Sequence, residues 1–181
     1  SALGISSVGG TMNMVTKSTE AQKGGSAYFG IGNDGFRKYS VSFSTGLMDN
    51  GWAITFMGAL NTGDGYVKGT NYEGWTYFGN ISKVINDHHK LSLTAFGAPQ
   101  WHNQRSTMHY IEDYKNSPDG GRFNNGYGYI NGEAVGSGYG YNYYHKPQVS
   151  LNHYWTIDDK STLTTSLYGS MATGGGRRAR G

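Results

Sequence analysis

"WTYFGNISKVINDHHKLSLTAFG", Trp75 to Gly97, is two alternating runs joined by a polar reversal. Trp75, Tyr77 and Ile81 alternate with Thr76, Asn80 and Ser82. Leu91, Leu93 and Ala95 alternate with Ser92 and Thr94. A period of two sends the two sets to opposite faces of a strand. The segment between them, Ile85–Lys90, is short and contains Asn and Asp, which suit turns. The stretch therefore predicts an antiparallel hairpin with one apolar face and one Ser/Thr/Asn face.

The same pattern extends both ways. Tyr39, Val41 and Phe43 alternate with serines. Pro147, Val149, Leu151 and Trp155 alternate with Gln148, Ser150, Asn152 and Thr156, and Leu163 and Leu167 alternate with Thr162, Thr164 and Ser166. No convincing helical period is present. Counted from Gly25, seven strands result. NDG (Asn33–Gly35) joins the first two. The reversals MDNG (Met48–Gly51), INDHHK and TIDDKS (Thr156–Ser161) after strands two, four and six are short. The connections after strands three and five are long, and strand seven runs into an open stretch. After the first hairpin, long connections collect at one end of the sheet and short ones at the other.

Composition narrows the class. Of 181 residues 30 are glycine, about 17% against a usual share of roughly 7%. Aromatic residues reach 14%, with 15 tyrosines, while charged residues are 15%, below the usual ~25%. The mean hydropathy of −0.58 comes from Ser, Thr, Asn, Gly and Tyr. Disordered chains are charged and poor in aromatics, so disorder does not explain it. The net charge of +3 is concentrated at Arg177, Arg178 and Arg180, which read as the end of a loop and not as a nucleic-acid patch. There is no cysteine, and no run of 18 apolar residues for a membrane helix.

Strands of 10 to 14 residues exceed the usual ~5–6. Long two-faced strands with short turns at one end and long loops at the other are the signature of an outer-membrane β-barrel. Trp52, Trp75, Tyr144 and Trp155, near strand ends, fit the aromatic girdles of such a barrel. The rival is a secreted or cell-surface β-rich adhesion or carbohydrate-binding module, with its apolar face turned inward. Single-chain bacterial barrels have at least ~8 strands. Seven strands, a start at SALGISS without methionine and no visible signal peptide give the expectation of a piece of a larger protein.

"SSVGGTMNMVTK", Ser6 to Lys17, makes the expectation specific. Gly9, Gly10, Asn13 and Thr16 match the Gly-Gly-x-x-Asn-x-x-Thr segment that ends the plug domain of TonB-dependent outer-membrane receptors. GDGYVKGTNYEGWTYFGNISKVINDHHKLSLTAFGAPQWHNQR, YYHKPQVSLNHYWTIDDKSTLTTSLYGS and ATGGG also resemble this family, most like its ferric-citrate type from Bacteroidetes. The resemblance implies a plug end at 1–17, a linker at 18–24 and the first barrel strands at 25–181, with a long extracellular loop at about 100–142. The fold expected is all-β, a partial antiparallel transmembrane barrel of about seven strands forming an open curved sheet after the last plug strand. The implied protein is a transporter, not an enzyme, located in the Gram-negative outer membrane. It would take up a scarce nutrient, ferric siderophore first, with saccharide or cobalamin as alternatives. Its implied partners are the TonB complex through segments absent here, the rest of its plug and barrel, outer-membrane lipid and a small nutrient ligand. No nucleic acid, cofactor or bound metal is expected.

Candidate ligand residues lie on the long loop. Trp101, His102, Gln104 and Arg105 combine stacking, hydrogen bonding and anion recognition. Tyr127 and Tyr129 lie in a Gly/Tyr-rich segment, a composition that gives contact area with adaptability. The more ordinary role for both sets is to order the loop or meet the plug. His88 and His89 invite a metal reading, but adjacent residues in a short turn rarely converge on one ion, and a solvated turn is expected. GIGNDG and GDG precede no helix, so they are not phosphate cradles.

Overall fold

The computed structural model describes residues 18–105, 108–130, 133–135 and 140–177. The plug-end positions Gly9, Gly10, Asn13 and Thr16 lie outside the described residues. The seven expected strands are all present. They are β1 (Gly24–Ile31), β2 (Arg37–Leu47), β3 (Trp52–Gly63), β4 (Tyr72–Val84), β5 (His89–Gly97), β10 (Gln148–Asp158) and β11 (Ser161–Ser170). They pair antiparallel in the order β1-β2-β3-β4-β5-β10-β11. The sheet is open: among the described residues, β1 and β11 each have a neighbour on one side only.

Three short strands complete a ten-stranded sheet: β6 (Gln100–Asn103), β9 (Tyr141–His145) and β12 (Thr173–Gly176). β6 pairs with β4 and β9, and β9 pairs with β12. They prolong β5, β10 and β11 past interruptions at Ala98–Pro99, Lys146–Pro147 and Met171–Ala172. The registers place these interruptions side by side, because Gln148 faces both Phe96 and Ser170 while Tyr144 faces both Gln100 and Gly174. Proline at two of them removes a ladder donor. The meander is thus seven strands wide, and its last three long strands continue beyond a shared line of breaks. The segment expected to be irregular from Gln100 therefore begins as strand. It also holds the β7–β8 hairpin (Gly128–Ile130, Glu133–Val135) and a short helix α1 (Ile111–Asn116). Six helical residues are too few to leave a period in the sequence.

The turns form as their residues dictate. Asp34 and Gly35 both have positive φ, 55° and 69°, and Phe36 N–H donates to the Asn33 carbonyl at 3.1 Å. Asp34 and Gly35 thus form a primed turn, whose twist matches that of the flanking strands, and the pairing of Ile31 with Arg37 leaves one extra residue beside it. A Cβ on Gly35 would meet only the movable tip of the Asp64 side chain, so it is the positive φ that favours glycine there. In the β4–β5 turn the Asn86 carboxamide oxygen accepts from the backbone N–H of His88 and His89, both at 2.9 Å. In the β10–β11 turn Asp158 accepts from Lys160 N–H at 2.8 Å, and this bond helps hold its carboxyl below the ordinary range.

Burial is inverted relative to a soluble sheet. Among the described residues the only fully buried apolar side chain is Ala53, while Asn80, Ser82, Ser92 and Thr94 are buried. The registers put Val41, Phe43, Phe56, Ile81, Leu93, Leu151 and Leu163 on one face, and all are exposed. The opposite face carries the hydroxyl and amide side chains, and it is not uniformly polar. Met57, Phe78 and Phe96 form a cross-strand row on it just short of the line of breaks, which the Ser/Thr alternation does not reveal.

Candidate functional site

The apolar face has borders at both ends. Trp52 and Trp155 sit on it near the short turns, and Trp75 and Trp101 near the long connections. All four tryptophans of the chain are thus on one face. At the turn border Lys83 lies 5.1 Å above the Trp52 ring and donates to the Asn50 carbonyl. His89 lies 5.6 Å from Trp155. At the other border the Trp75 indole donates to Glu73 at 2.8 Å, and the Tyr77 hydroxyl meets His145 Nε2 at 2.9 Å. Tyr141 and Tyr143 continue this border, with Trp101 6.1 Å from the Tyr141 ring. Between the borders the exposed face is aliphatic and aromatic.

Parity divides the candidate ligand residues. β6 pairs Trp101 with Glu73 and Tyr143, on the apolar face. Gln100 and His102 point to the other face, opposite Tyr144 and Asn142. The His102 ring sits between two side-chain amides, Nδ1 2.9 Å from Gln100 and Nε2 3.2 Å from Gln104. His102 and Gln104 are therefore brought together, and Trp101 is parted from them. Arg105 turns into the loop: it donates to the Phe123 carbonyl at 2.9 Å and lies 5.2 Å over the Tyr114 ring. Tyr127 is exposed, and the side chain of Tyr129 lies outside the described residues.

The long insertion is tied to the neighbouring loops by side chains the sequence does not single out. Asn124 is buried, donates to the Lys68 carbonyl at 2.7 Å and accepts from Gly126 N–H at 3.1 Å. Lys68 pairs with Asp119. Arg122 pairs with Asp34 at 2.6 Å, donates to the Tyr66 carbonyl at 3.2 Å and lies 4.7 Å over the Tyr66 ring. One guanidinium thus joins the insertion to both the β1–β2 turn and the β3–β4 loop. Replacing Arg122 with alanine should change global stability by about 1 kcal/mol or less, because the pair is solvent-screened. Amide exchange at 64–70 and 119–124 should nevertheless accelerate, and unchanged exchange there would refute this tie.

The histidines of the INDHHK turn behave differently from a uniformly solvated pair. His88 Nδ1 is 2.8 Å from the Thr156 carbonyl, while His89 Nδ1 is 3.0 Å from His153 Nε2 on the next strand. The signal available in sequence was His153 continuing the alternation of Val149, Leu151 and Trp155. A cavity of about 390 Å³ adjoins this turn, with Lys90, Tyr154, Thr156, Thr162 and Thr164 in its wall. Among the described residues no three acidic, histidine or cysteine side chains cluster as a metal site.

Comparison with protein-family models, with curated proteins and with solved structures gives no match.

Proposed function

We propose that the chain is part of a TonB-dependent outer-membrane receptor, comprising the plug end and the first barrel strands, in the membrane of a Gram-negative cell. The observation that carries the proposal is the exposed apolar face bounded at both ends by tryptophan. From Glu73 to Lys83, β4 rises about 34 Å at ~3.4 Å per residue, and a tilt of about 40° brings this to about 26 Å along the membrane normal. Outer-membrane barrels carry an apolar band of about 25 Å between aromatic girdles. The lack of an apolar core among the described residues supports the same orientation, with the Ser/Thr/Asn face toward a lumen. The two unpaired edges would be closed by further strands, since open edges do not persist in hydrocarbon.

In this arrangement the tied loops at the end of the long connections face the cell exterior. They would meet a scarce nutrient, ferric siderophore first, and His102 with Gln104 would face the lumen mouth. Import would be driven by the TonB complex through segments outside this chain, and no covalent step is involved.

Tryptophan depth tests the proposal. Carried in the complete barrel as its only tryptophans and refolded into vesicles, the four tryptophans of this chain should be quenched more strongly by lipids brominated near the headgroup than by lipids brominated near the chain end. Both borders place tryptophan at the interface. A chain that is soluble and melts cooperatively without detergent, and that no brominated lipid quenches, would instead be a surface adhesion or carbohydrate-binding module.

A further inference from the structure

We infer that His89 and His153 form a two-imidazole site for a divalent transition-metal ion of the Cu²⁺, Ni²⁺ or Zn²⁺ class. His89 opens β5 and His153 lies in β10. The register sets His89 opposite Trp155 and His153 opposite Leu91, so the two histidines are diagonal neighbours on one face. Their nitrogens, Nδ1 of His89 and Nε2 of His153, are 3.0 Å apart. The ring planes differ by 8° and the centroids are 5.2 Å apart. With so short a nitrogen contact, the rings meet edge to edge in an N–H···N hydrogen bond, one facing nitrogen carrying the proton and the other accepting it.

Two imidazole nitrogens bound to one tetrahedral ion at ~2.0–2.1 Å lie about 3.3 Å apart. The pair is therefore within a few tenths of an ångström of chelating distance, and tilting both half-exposed rings lets the lone pairs converge. The proton balance is closed. In the neutral pair one facing nitrogen carries that proton. On binding, that ring changes tautomer, its proton moves to its far nitrogen, and both facing nitrogens bind as neutral ligands with no net proton release.

The surroundings permit a cation. Trp155 flanks His89, and the nearest β4 cation, Lys83, is turned away to Trp52 and the Asn50 carbonyl. His88 does not join, because its ring is held at the Thr156 carbonyl. Among the described residues no third protein ligand completes the set, so water would fill the remaining positions. Imidazole ligands favour copper, nickel and zinc over magnesium or calcium, with copper strongest. The site does not depend on the membrane proposal.

The test uses the untagged chain in detergent micelles. Titration with Cu²⁺ should fill one site, and the electron paramagnetic resonance spectrum should show coupling to two imidazole nitrogens. His153→Asn should weaken binding roughly tenfold or more, at least what loss of an outer-shell partner costs. It should also reduce the coupling to one nitrogen. His88→Asn should leave both unchanged. Circular dichroism confirms that each variant keeps the sheet. Coupling to a single nitrogen in the parent chain, or equal losses in His88→Asn and His153→Asn, would overturn the inference.

Discussion

Leu93→Arg, made in the complete receptor, should lower insertion into lipid vesicles by about 1–2 kcal/mol, a factor of roughly 5 to 30. Leu93 lies midway along β5, opposite Ile81 on β4 and Leu151 on β10, and all three are exposed. On β4, its partner Ile81 is two residues from Lys83 at the Trp52 border and eight from Glu73 at the other. In the proposed barrel this position lies inside the apolar band but on its turn-side half, where a guanidinium must leave water or reach back to the headgroups. The sign separates the two proposals for this face. In water an exposed leucine replaced by arginine changes stability by about 0.5 kcal/mol or less, and it would improve solubility. Flotation with vesicles measures the effect directly. Ser166→Arg is the control, on the exposed polar face of β11 opposite Asn152, where the charge would meet the lumen. The barrel proposal fails if Leu93→Arg floats with vesicles as well as the parent receptor does.

The seven-strand meander was legible because alternation and turn chemistry are local. The Trp75–Gly97 stretch alone specifies two faces, a turn and an antiparallel pair, and β4 and β5 form with that register. Gly25 was one residue late for the start of β1. What local pattern could not show is what depends on pairing partners distant in sequence. β6 is strand because β4 extends beyond β5 and because β9 returns some forty residues later to flank it. Trp101 and His102 looked like one cluster because they are adjacent, yet adjacency in a strand means opposite faces. Arg105 looked like an anion receptor, and its guanidinium is instead spent on the Phe123 carbonyl and the Tyr114 ring. The His89–His153 contact spans two strands joined by the whole insertion, so nothing in the turn itself announces it.

Asn80→Ala should destabilise the sheet by about 2–3 kcal/mol, the upper part of the range for stranding buried polar partners. Asn80 is the largest fully buried side chain among the described residues. Its amide donates to Ser92 at 2.8 Å and to Thr94 at 2.7 Å, and its carbonyl oxygen accepts from Ser82 at 2.8 Å. The Ser82 and Ser92 hydroxyls also lie 3.0 Å apart, where the Ser92 hydroxyl can donate. The four side chains form one connected network across β4 and β5, on the face where a soluble sheet would place aliphatic groups. Alanine removes three hydrogen bonds at once and takes the side-chain partner from the buried Thr94 hydroxyl, while Ser82 and Ser92 keep each other. Low-dielectric networks of this kind lose more than separate pair deletions suggest. Ser92→Ala should therefore cost less than Asn80→Ala, and the double variant should cost less than the sum of the two. Urea unfolding of the chain in detergent, followed by far-ultraviolet circular dichroism, measures all three. If Asn80→Ala unfolds at the same urea concentration as the parent, the buried polar network contributes nothing. The cohesion of this sheet would then rest on its backbone ladder and on whatever covers the apolar face.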